Sequence, residues 1–178
     1  MTRAGYLVWM DLEMTGLSAL RDSIIEIATV ITDNELNLIE IGPEFAIYQE
    51  EEILEEMSEW CRKHHTESGL TERVRRSNIT NQIAEKRTLE FLKKFVSKEE
   101  APLCGNSIHQ DRAFLKYHMP LLNQYFHYRN IDISSIKELA RRWYPNVKKY
   151  QKREKHTALE DIMESIEELR YYRKHLFV

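Results

Sequence analysis

The sequence predicts an α/β fold, in which a mixed five-stranded sheet is flanked by helices. Three strand-like segments come first, and two more alternate with helix-like segments in the second half of the chain. That order is typical of one sheet with an antiparallel part followed by a parallel part. The length of 178 residues favours a single domain, residues 1–178, with a sizeable core.

The first three strands are predicted from runs of β-branched and apolar residues. They cover residues 6–10, 23–32 and 37–48. Asp33 and Asn34 are turn-forming residues between the second and third segments. A short turn between such segments predicts an antiparallel meander.

The rest of the chain has the 3.6-residue periodicity of helices, interrupted by two short strands. The predicted helices cover residues 50–65, 71–77, 80–96, 108–118, 136–143 and 157–174, and the strands cover residues 102–105 and 130–134. Functional sites in sheets of this kind lie near the strand ends.

Composition excludes several classes of protein. The net charge of −3 is unlike that of a protein that coats long nucleic acid, so any contact with nucleic acid should involve few phosphates. Cys61 and Cys104 are too few for a disulfide framework, which predicts a reducing cytoplasm. The N-terminal apolar stretch is too short for a signal peptide, and no window resembles a membrane span.

Two acids follow the first predicted strand, in the stretch VWMDLEMTGL, residues 8–17, which otherwise has the pattern of a buried strand. Side chains two apart on a strand share a face, so Asp11 and Glu13 should point the same way, roughly 7 Å apart along the chain. Such carboxylates repel each other in a partly buried site, and a hard divalent cation relieves that repulsion. The alternative is an ordinary strand end with two solvated acids.

Two further aspartates occupy matching local positions in the second half of the chain. Each follows a predicted helix N-cap by four positions: Ser107 precedes Asp111, and Thr157 precedes Asp161. A Gln or Glu three positions after each cap completes a capping-box pattern. Because acids in a first turn often only complement the helix dipole, that simpler explanation stays open for each aspartate.

His156 stands just before the second of these caps. Five positions in a helix rotate a side chain by roughly 140°, so a helical His156 would not share a face with Asp161. With Thr157 as the N-cap, His156 is instead expected on the loop rich in Lys and Arg. A loop histidine can approach a substrate and titrates near neutral pH. The alternative is an ordinary surface histidine.

Taken together, these motifs resemble the oligoribonuclease family, within the DEDDh group of 3′→5′ exonucleases. The stretches that carry the resemblance are VWMDLEMTGL, RDSIIEIATVITD, HTESGL, CGNSIHQDRAFL, YRNIDISSIKELARRWYP and HTALEDIMESIEELRYYR. The resemblance implies an RNase H-like fold and a homodimer. It also implies a 3′→5′ exoribonuclease that degrades very short RNA, especially dinucleotides, to nucleoside 5′-monophosphates.

The resemblance implies specific roles for twelve residues. Two Mg²⁺ or Mn²⁺ ions would bind Asp11, Glu13, Asp111 and Asp161, and His156 would be the general base. The implied contacts to short RNA are Leu17 and Trp60 at the bases, Tyr128 supplied across the dimer interface, and His65, Ser107 and Arg129 at the 5′-phosphate, with Gln110 as a supporting residue.

Each implied substrate contact has an alternative that needs no substrate. Leu17 could be a turn residue, Trp60 could belong to the core, and Ser107 could be only a helix cap. Arg129 could be a surface cation, and Tyr128 could pack under the last strand. A hydroxyl can nevertheless accept from a backbone N–H while it donates to a phosphate, and the planar guanidinium suits phosphate.

Two other functions remain open on the sequence alone. A DEDDh exonuclease could trim longer RNA or DNA, and a catalytically idle module could bind nucleic acid on the same fold. The predicted phosphate-capping residues and the lack of a basic patch argue against the first. The intact acids and His156 argue against the second.

Overall fold

A mixed sheet lies at the centre of the computed structural model, which describes residues 5–151 and 157–177. The sheet has five strands within these residues. They are β1 (Tyr6–Met14), β2 (Ile24–Asp33), β3 (Leu38–Ala46), β4 (Leu103–Gly105) and β5 (Asn130–Asp132). Their order across the sheet is β3–β2–β1–β4–β5.

Strand pairing divides the sheet into the two predicted parts. β1, β2 and β3 pair antiparallel, and β4 pairs parallel with both β1 and β5. The predicted fold class is therefore confirmed. The carboxyl ends of β1, β4 and β5 meet at one edge of the sheet, where the predicted acids of β1 lie.

The sheet is covered by helices on both faces. They are α1 (Glu51–Glu55), α2 (Glu59–Glu67), α3 (Leu70–Arg76), α4 (Asn81–Leu92), α5 (Ile108–His118), α6 (Pro120–Asn123), α7 (Ile133–Trp143) and α8 (Ala158–Leu176). Over the described part of the chain, none of them combines the length and apolar character that a membrane span requires.

Two local caps change the predicted element boundaries. The single helix predicted for residues 50–65 is wrong, because Ser58 starts a new helix by accepting a hydrogen bond from Cys61 N at 3.2 Å. The strand predicted for residues 130–134 ends at Asp132, whose side chain accepts from Ser134 N at 2.9 Å. That cap starts α7 at Ile133, three residues earlier than predicted.

Alternate side chains of β1 enter different cores on the two faces of the sheet. Val8 and Leu12 pack in the core that α4 and α5 cover, whereas Trp9 packs in the core that α7 and α8 cover. Asp11 and Glu13 alternate with Leu12 along the strand and therefore point towards the face of Trp9 and α8. The sheet thus directs both acids towards the helix that carries Asp161.

Candidate active site

Three carboxylates converge at the carboxyl end of β1. Asp11 and Glu13 come from the strand itself, and Asp161 comes from the first turn of α8. One oxygen atom of each residue lies within 4.8 Å of the corresponding atoms of the other two. The structure therefore brings together three of the four acids that the sequence singles out as metal ligands.

Asp161 reaches this position because α8 begins just before it. Thr157 Oγ1 accepts a hydrogen bond from Glu160 N at 3.3 Å, so the predicted N-cap is present. Asp161 N donates to Thr157 O at 2.9 Å, which closes the first helical turn. The four-position step from the cap thus orients Asp161 towards the strand acids.

The fourth acid, Asp111, is fixed directly beside the strand. It lies in the first turn of α5, and its Oδ1 accepts a hydrogen bond from Leu12 N at 2.9 Å. Leu12 stands between Asp11 and Glu13 in the sequence. Among the described residues, Asp111 does not belong to the group whose oxygens all lie within 4.8 Å of one another. One of its two oxygens is already occupied by a backbone donor.

Burial and neighbouring negative charges favour the protonated forms of Asp11, Glu13 and Asp111. Burial, followed by the charges of Asp111, Glu13 and Asp161, raises the pKa of Asp11 well above its usual range. Burial, followed by the charges of Asp161 and Glu26, raises the pKa of Glu13 to about 8. Burial raises the pKa of Asp111 to about 7, although its backbone hydrogen bonds act in the opposite direction.

These properties fit a divalent metal centre. Carboxylate oxygens are the preferred ligands of hard cations such as Mg²⁺ and Mn²⁺. A cation would offset the burial and the repulsion that together raise the pKa values, and it would favour the ionised carboxylates. Asp11, Glu13 and Asp161 have the spacing to share one ion. The acids at the end of β1 are therefore a candidate divalent metal centre.

His65 lies beside the acids and is only 3% exposed. Its Nδ1 is 3.9 Å from Glu13 Oε2, and its Nε2 is 2.9 Å from Met14 O. Because a carbonyl only accepts, Nε2 carries the proton of that hydrogen bond, and burial lowers the pKa of His65. No contact between described residues joins His65 to Ser107 or Arg129, so its role at the 5′-phosphate stays a prediction.

Ser107 does not cap α5 with its side chain, so the predicted capping box is wrong. Its backbone is left-handed, with a φ of 51°, and its Oγ lies 3.0 Å from Ser134 Oγ. Its N–H donates to Asp132 Oδ1 at 3.0 Å and to Ser134 Oγ at 2.9 Å. The start of α7 therefore holds Ser107 in place of a local cap, and Ser107 stays exposed.

Gln110, the other member of the predicted box, supports the loop that carries Leu17. Gln110 Nε2 donates to Leu17 O at 2.8 Å. Asp22 Oδ2 accepts from Ser18 N at 2.8 Å, and a Cβ on Gly16 would lie 2.5 Å from the Asp22 carboxylate. This loop therefore has a defined shape, although the Leu17 side chain is 79% exposed.

Leu17 and Trp60 line the same open cleft, with a volume of ≈ 910 Å³. Trp60 is 66% exposed, so the alternative that it belongs to the core is wrong. Its ring stacks on that of His64, with 4.5 Å between the centroids and 14° between the planes. An exposed indole beside an exposed leucine offers apolar surface on which nucleic-acid bases can stack.

Tyr128 and Arg129 are exposed on the segment before β5. Tyr128 is 73% exposed, so the alternative that it packs under the last strand is wrong. The Arg129 guanidinium carbon lies 5.2 Å from the centroid of the Tyr128 ring, and Arg129 N donates to His127 Nδ1 at 3.1 Å. Both side chains are therefore accessible to a ligand or to a second subunit.

His156, the predicted general base, lies outside the residues that the structure describes. The next residue, Thr157, is the cap of α8, and the first turn of α8 reaches the acids. The role of His156 accordingly stays a prediction from its spacing to Asp161.

Two residues at this edge of the sheet are absent from the sequence prediction. Ser134 contacts Ser107 from 27 positions away, and no local pattern indicates that contact. Glu26 is fully buried in β2, directly opposite Glu13 in the strand pairing. A charged residue inside the apolar run SIIEIATVIT was the signal that could have identified Glu26.

Comparison with known proteins identifies the family. A family model described as exonuclease matches residues 8–169. The oligoribonuclease of Hydrogenovibrio crunogenus is 58% identical over 173 residues, which are 97% of this chain and 94% of that protein. This chain belongs to the oligoribonuclease family.

Other members of the oligoribonuclease family match over a similar length. The protein from Pasteurella multocida is 55% identical over 170 residues, which are 95% of this chain and 92% of that protein. The protein from Marinobacter nauticus is 52% identical over 178 residues, which are 99% of each. The resemblance found in the sequence motifs is therefore confirmed over nearly the whole chain.

Solved structures of more distant exonucleases share the fold of this oligoribonuclease family member. Exonuclease I from Methylocaldum szegediense superposes with a TM-score of 0.74 at 18% identity and covers 97% of this chain. E. coli exonuclease I in complex with a 5cy-dT13 oligonucleotide gives 0.73 at 13% identity and covers 98% of this chain. The chain spans 41% of each of those proteins. These likenesses confirm the RNase H-like fold class.

Proposed function

We propose that this chain hydrolyses very short RNA, dinucleotides above all, to nucleoside 5′-monophosphates by two-metal-ion chemistry, and that residues 1–178 act as one exonuclease domain. Membership of the oligoribonuclease family makes it a 3′→5′ exoribonuclease of short RNA. The observation that carries the mechanism is the approach of Asp11, Glu13 and Asp161 to within 4.8 Å. The open cleft that begins at Thr15, two residues after Glu13, provides room for the substrate.

The acids would share the task of holding the metal ions. Asp11, Glu13 and Asp161 would hold one ion, and Asp111 has one oxygen left to help hold a second. When bound, two Mg²⁺ or Mn²⁺ ions would activate the attacking water and stabilise the leaving 3′-oxygen. His156 would accept the proton of that water.

The open cleft would orient the bases of the substrate. Leu17 and Trp60 line it, and Gln110 holds the Leu17 loop through the hydrogen bond to Leu17 O. Stacking on an aromatic ring contributes roughly 1–3 kcal/mol per base and tolerates any base. We therefore expect these contacts to bind the substrate with little preference for its sequence.

Ser107 and Arg129 would bind the 5′-phosphate. Ser134 would join them in this phosphate cap, because its hydroxyl contacts that of Ser107. Hydroxyls and a guanidinium all donate hydrogen bonds to phosphate oxygens. His65 was predicted for the same group, and its position next to Glu13 gives that role no support. The distance from this phosphate cap to the acids would set the number of nucleotides that fit. The net charge of −3 agrees, because a short substrate needs no basic track.

A 5′-phosphorylated dinucleotide is expected to have a kcat/KM about 10- to 100-fold above that of a 5′-phosphorylated 20-mer. The 5′-phosphate of the 20-mer cannot reach the cap while its 3′ end lies at the acids. The lost charge-assisted hydrogen bonds contribute roughly 1.5–3 kcal/mol, which corresponds to that ratio. The rate of mononucleotide release is measured for both substrates, with and without EDTA. Equal efficiency would indicate an exonuclease of longer chains, and binding without hydrolysis would indicate an idle module.

The Arg129→Ala variant provides the control for this comparison. It should lose the advantage on the 5′-phosphorylated dinucleotide and keep its rate on the same dinucleotide with a 5′-hydroxyl. Arg141→Ala is the matched variant, because Arg141 is also exposed but pairs with Glu138 at the far end of α7. An equal loss on both dinucleotides would place Arg129 outside the phosphate cap.

A homodimer in which Tyr128 completes the active site of the other subunit accounts for the exposure of that ring. Tyr128→Ala and Asp161→Asn should each inactivate the homodimer. Because a mixed dimer would then contain one site without either change, an equimolar mixture of the two variants should recover about a quarter of the wild-type sites after subunit exchange. Light scattering measures the mass of the assembly in solution and so tests the dimer itself. Failure to recover activity in a verified mixed dimer would mean that Tyr128 serves its own subunit.

A cytoplasmic location is also proposed. Cys61 and Cys104 are both free and buried, so neither forms a disulfide that would require an oxidising compartment. Detection of the protein in a cytosolic fraction after cell lysis would test this location directly.

A further inference from the structure

Glu26 is a fully buried carboxylate near the start of β2, and it is not one of the predicted metal ligands. It lies in β2 opposite Glu13 of β1, and its side chain is 0% exposed. A buried carboxylate without partners strongly destabilises a fold. Its two contacts therefore indicate what it does.

One oxygen of Glu26 contacts the start of α8. Glu26 Oε2 accepts a hydrogen bond from Ala158 N at 3.2 Å, across 132 positions of sequence. Ala158 is the first residue of α8 and is itself buried. The first N–H groups of a helix have no partner within the helix, so Glu26 supplies a cap that the local sequence does not.

The other oxygen of Glu26 contacts α3. Arg73 Nη2 lies 2.5 Å from Glu26 Oε1, in a close ion pair whose geometry is not that of a directed hydrogen bond. Arg73 is 41% exposed and also lies 3.8 Å from Glu44. This cation partly compensates the buried charge, so Glu26 can accept from the helix as a paired carboxylate.

The contact to Ala158 connects β2 to the turn that carries a metal ligand. Asp161 follows Ala158 by three positions, which is less than one turn of helix. A shift of this first turn would move the Asp161 oxygens away from Asp11 and Glu13. Groups that hydrogen-bond directly to metal ligands change metal affinity by roughly 10- to 100-fold when they are removed. Glu26 would act on Asp161 through the backbone of the same turn.

We propose that Glu26 is a positioning residue, which anchors the first turn of α8 to β2 and so holds Asp161 within reach of Asp11 and Glu13. This inference rests on the proposed metal-binding role of these acids. Arg73 would contribute indirectly, because its ion pair keeps the Glu26 carboxylate in place. Glu26 itself would touch neither the metal nor the substrate.

The test is the affinity of the folded protein for Mn²⁺, measured by titration calorimetry below the unfolding temperature. Glu26→Ala should weaken the dissociation constant about 10-fold or more. Glu26→Gln should bind within about threefold of wild type, because its amide oxygen can still accept from Ala158 N. Amide hydrogen exchange at Ala158 should be faster in Glu26→Ala and close to wild type in Glu26→Gln.

Glu85 supplies a matched control in the same chain. It is also a buried glutamate that accepts from a backbone N–H of a helix, with Glu85 Oε1 2.9 Å from Leu122 N. Glu85→Ala should lower the melting temperature and leave Mn²⁺ affinity unchanged. A purely structural role for Glu26 predicts the same behaviour for Glu26→Ala.

Unchanged Mn²⁺ affinity in folded Glu26→Ala would overturn the inference, and so would an equal loss in Glu26→Gln. If Glu26→Ala does not fold, Glu26→Asp replaces it, because its carboxylate is one methylene too short to keep both contacts. Wild-type affinity in Glu26→Asp would then contradict the positioning role. A wild-type protein that binds no Mn²⁺ would instead overturn the metal centre itself, and this inference with it.

Discussion

Asp161→Asn is expected to reduce kcat/KM on a 5′-phosphorylated dinucleotide by about a thousandfold or more. Asp161 contributes one of the three carboxylates whose oxygens lie within 4.8 Å of one another. An amide is a neutral and much weaker ligand of a hard cation. A loss of about 4 kcal/mol of transition-state stabilisation corresponds to a factor of about a thousand.

The fold should survive this change. Asparagine has nearly the same shape as aspartate, and the start of α8 is held by Thr157 and by the contact of Glu26 with Ala158. The charge of Asp161 also contributes to the raised pKa of Glu13, so its removal relieves repulsion in the metal-free protein. We therefore expect an unchanged far-UV circular dichroism spectrum and a melting temperature in EDTA at or above that of wild type.

The measurement compares Asp161→Asn with Glu167→Gln on the same helix. Glu167 pairs with Arg170 on the surface of α8, so its replacement should leave hydrolysis unchanged. Asp111→Asn should also abolish hydrolysis, although its carboxylate is fixed by Leu12 N. Retention of more than about a tenth of the wild-type rate in either aspartate variant would rule out its role as a metal ligand, because such a loss is below about 1.4 kcal/mol.

Local patterns predict the parts of this site that depend on local structure. The period of two along β1 predicts that Asp11 and Glu13 share a face, and the structure shows both at the end of that strand. The cap at Thr157 predicts where α8 starts and hence where Asp161 lies. The order of strands and helices likewise predicts the mixed sheet, because each element is specified by its own periodicity.

Contacts between distant segments account for the parts that local patterns do not predict. The sequence around Ser107 indicates a cap, yet Asp132 and Ser134 hold that residue in a left-handed conformation. Gln110 has the right spacing for the same cap, but its amide reaches the Leu17 carbonyl, 93 positions away. Competition between a local and a distant partner is decided by the folded structure, and the spacing of residues along a local segment does not reveal the outcome.

The free energy of unfolding of the metal-free protein is expected to fall as the pH rises from about 4.5 to about 8. Burial, followed by the charges of Asp161 and Glu26, raises the pKa of Glu13 from 4.5 to about 8 in the folded state. Below this window the folded and unfolded states both keep the proton. Within it only the folded state keeps it, so stability is lost by up to about 1.4 kcal/mol per pH unit. The loss is complete once the pH exceeds the folded pKa.

Glu13→Gln should remove the pH-dependent loss of stability that Glu13 causes. The variant therefore distinguishes the effect of Glu13 on stability from its effect on metal binding. In EDTA its melting temperature should exceed that of wild type at about pH 8 and equal it at about pH 4.5, since the substitution removes the titration of Glu13 between these values. Each kcal/mol corresponds to roughly 2–4 °C for a chain of this length. Added Mn²⁺ should raise the melting temperature of wild type more than that of Glu13→Gln, because a ligand stabilises the state that binds it.

The control is Glu40→Gln, on the exposed surface of β3, which should follow wild type throughout. A wild-type protein whose stability in EDTA increases over the same pH range would contradict the burial and repulsion that raise the pKa of Glu13, and with them the reason why we expect this site to bind a cation.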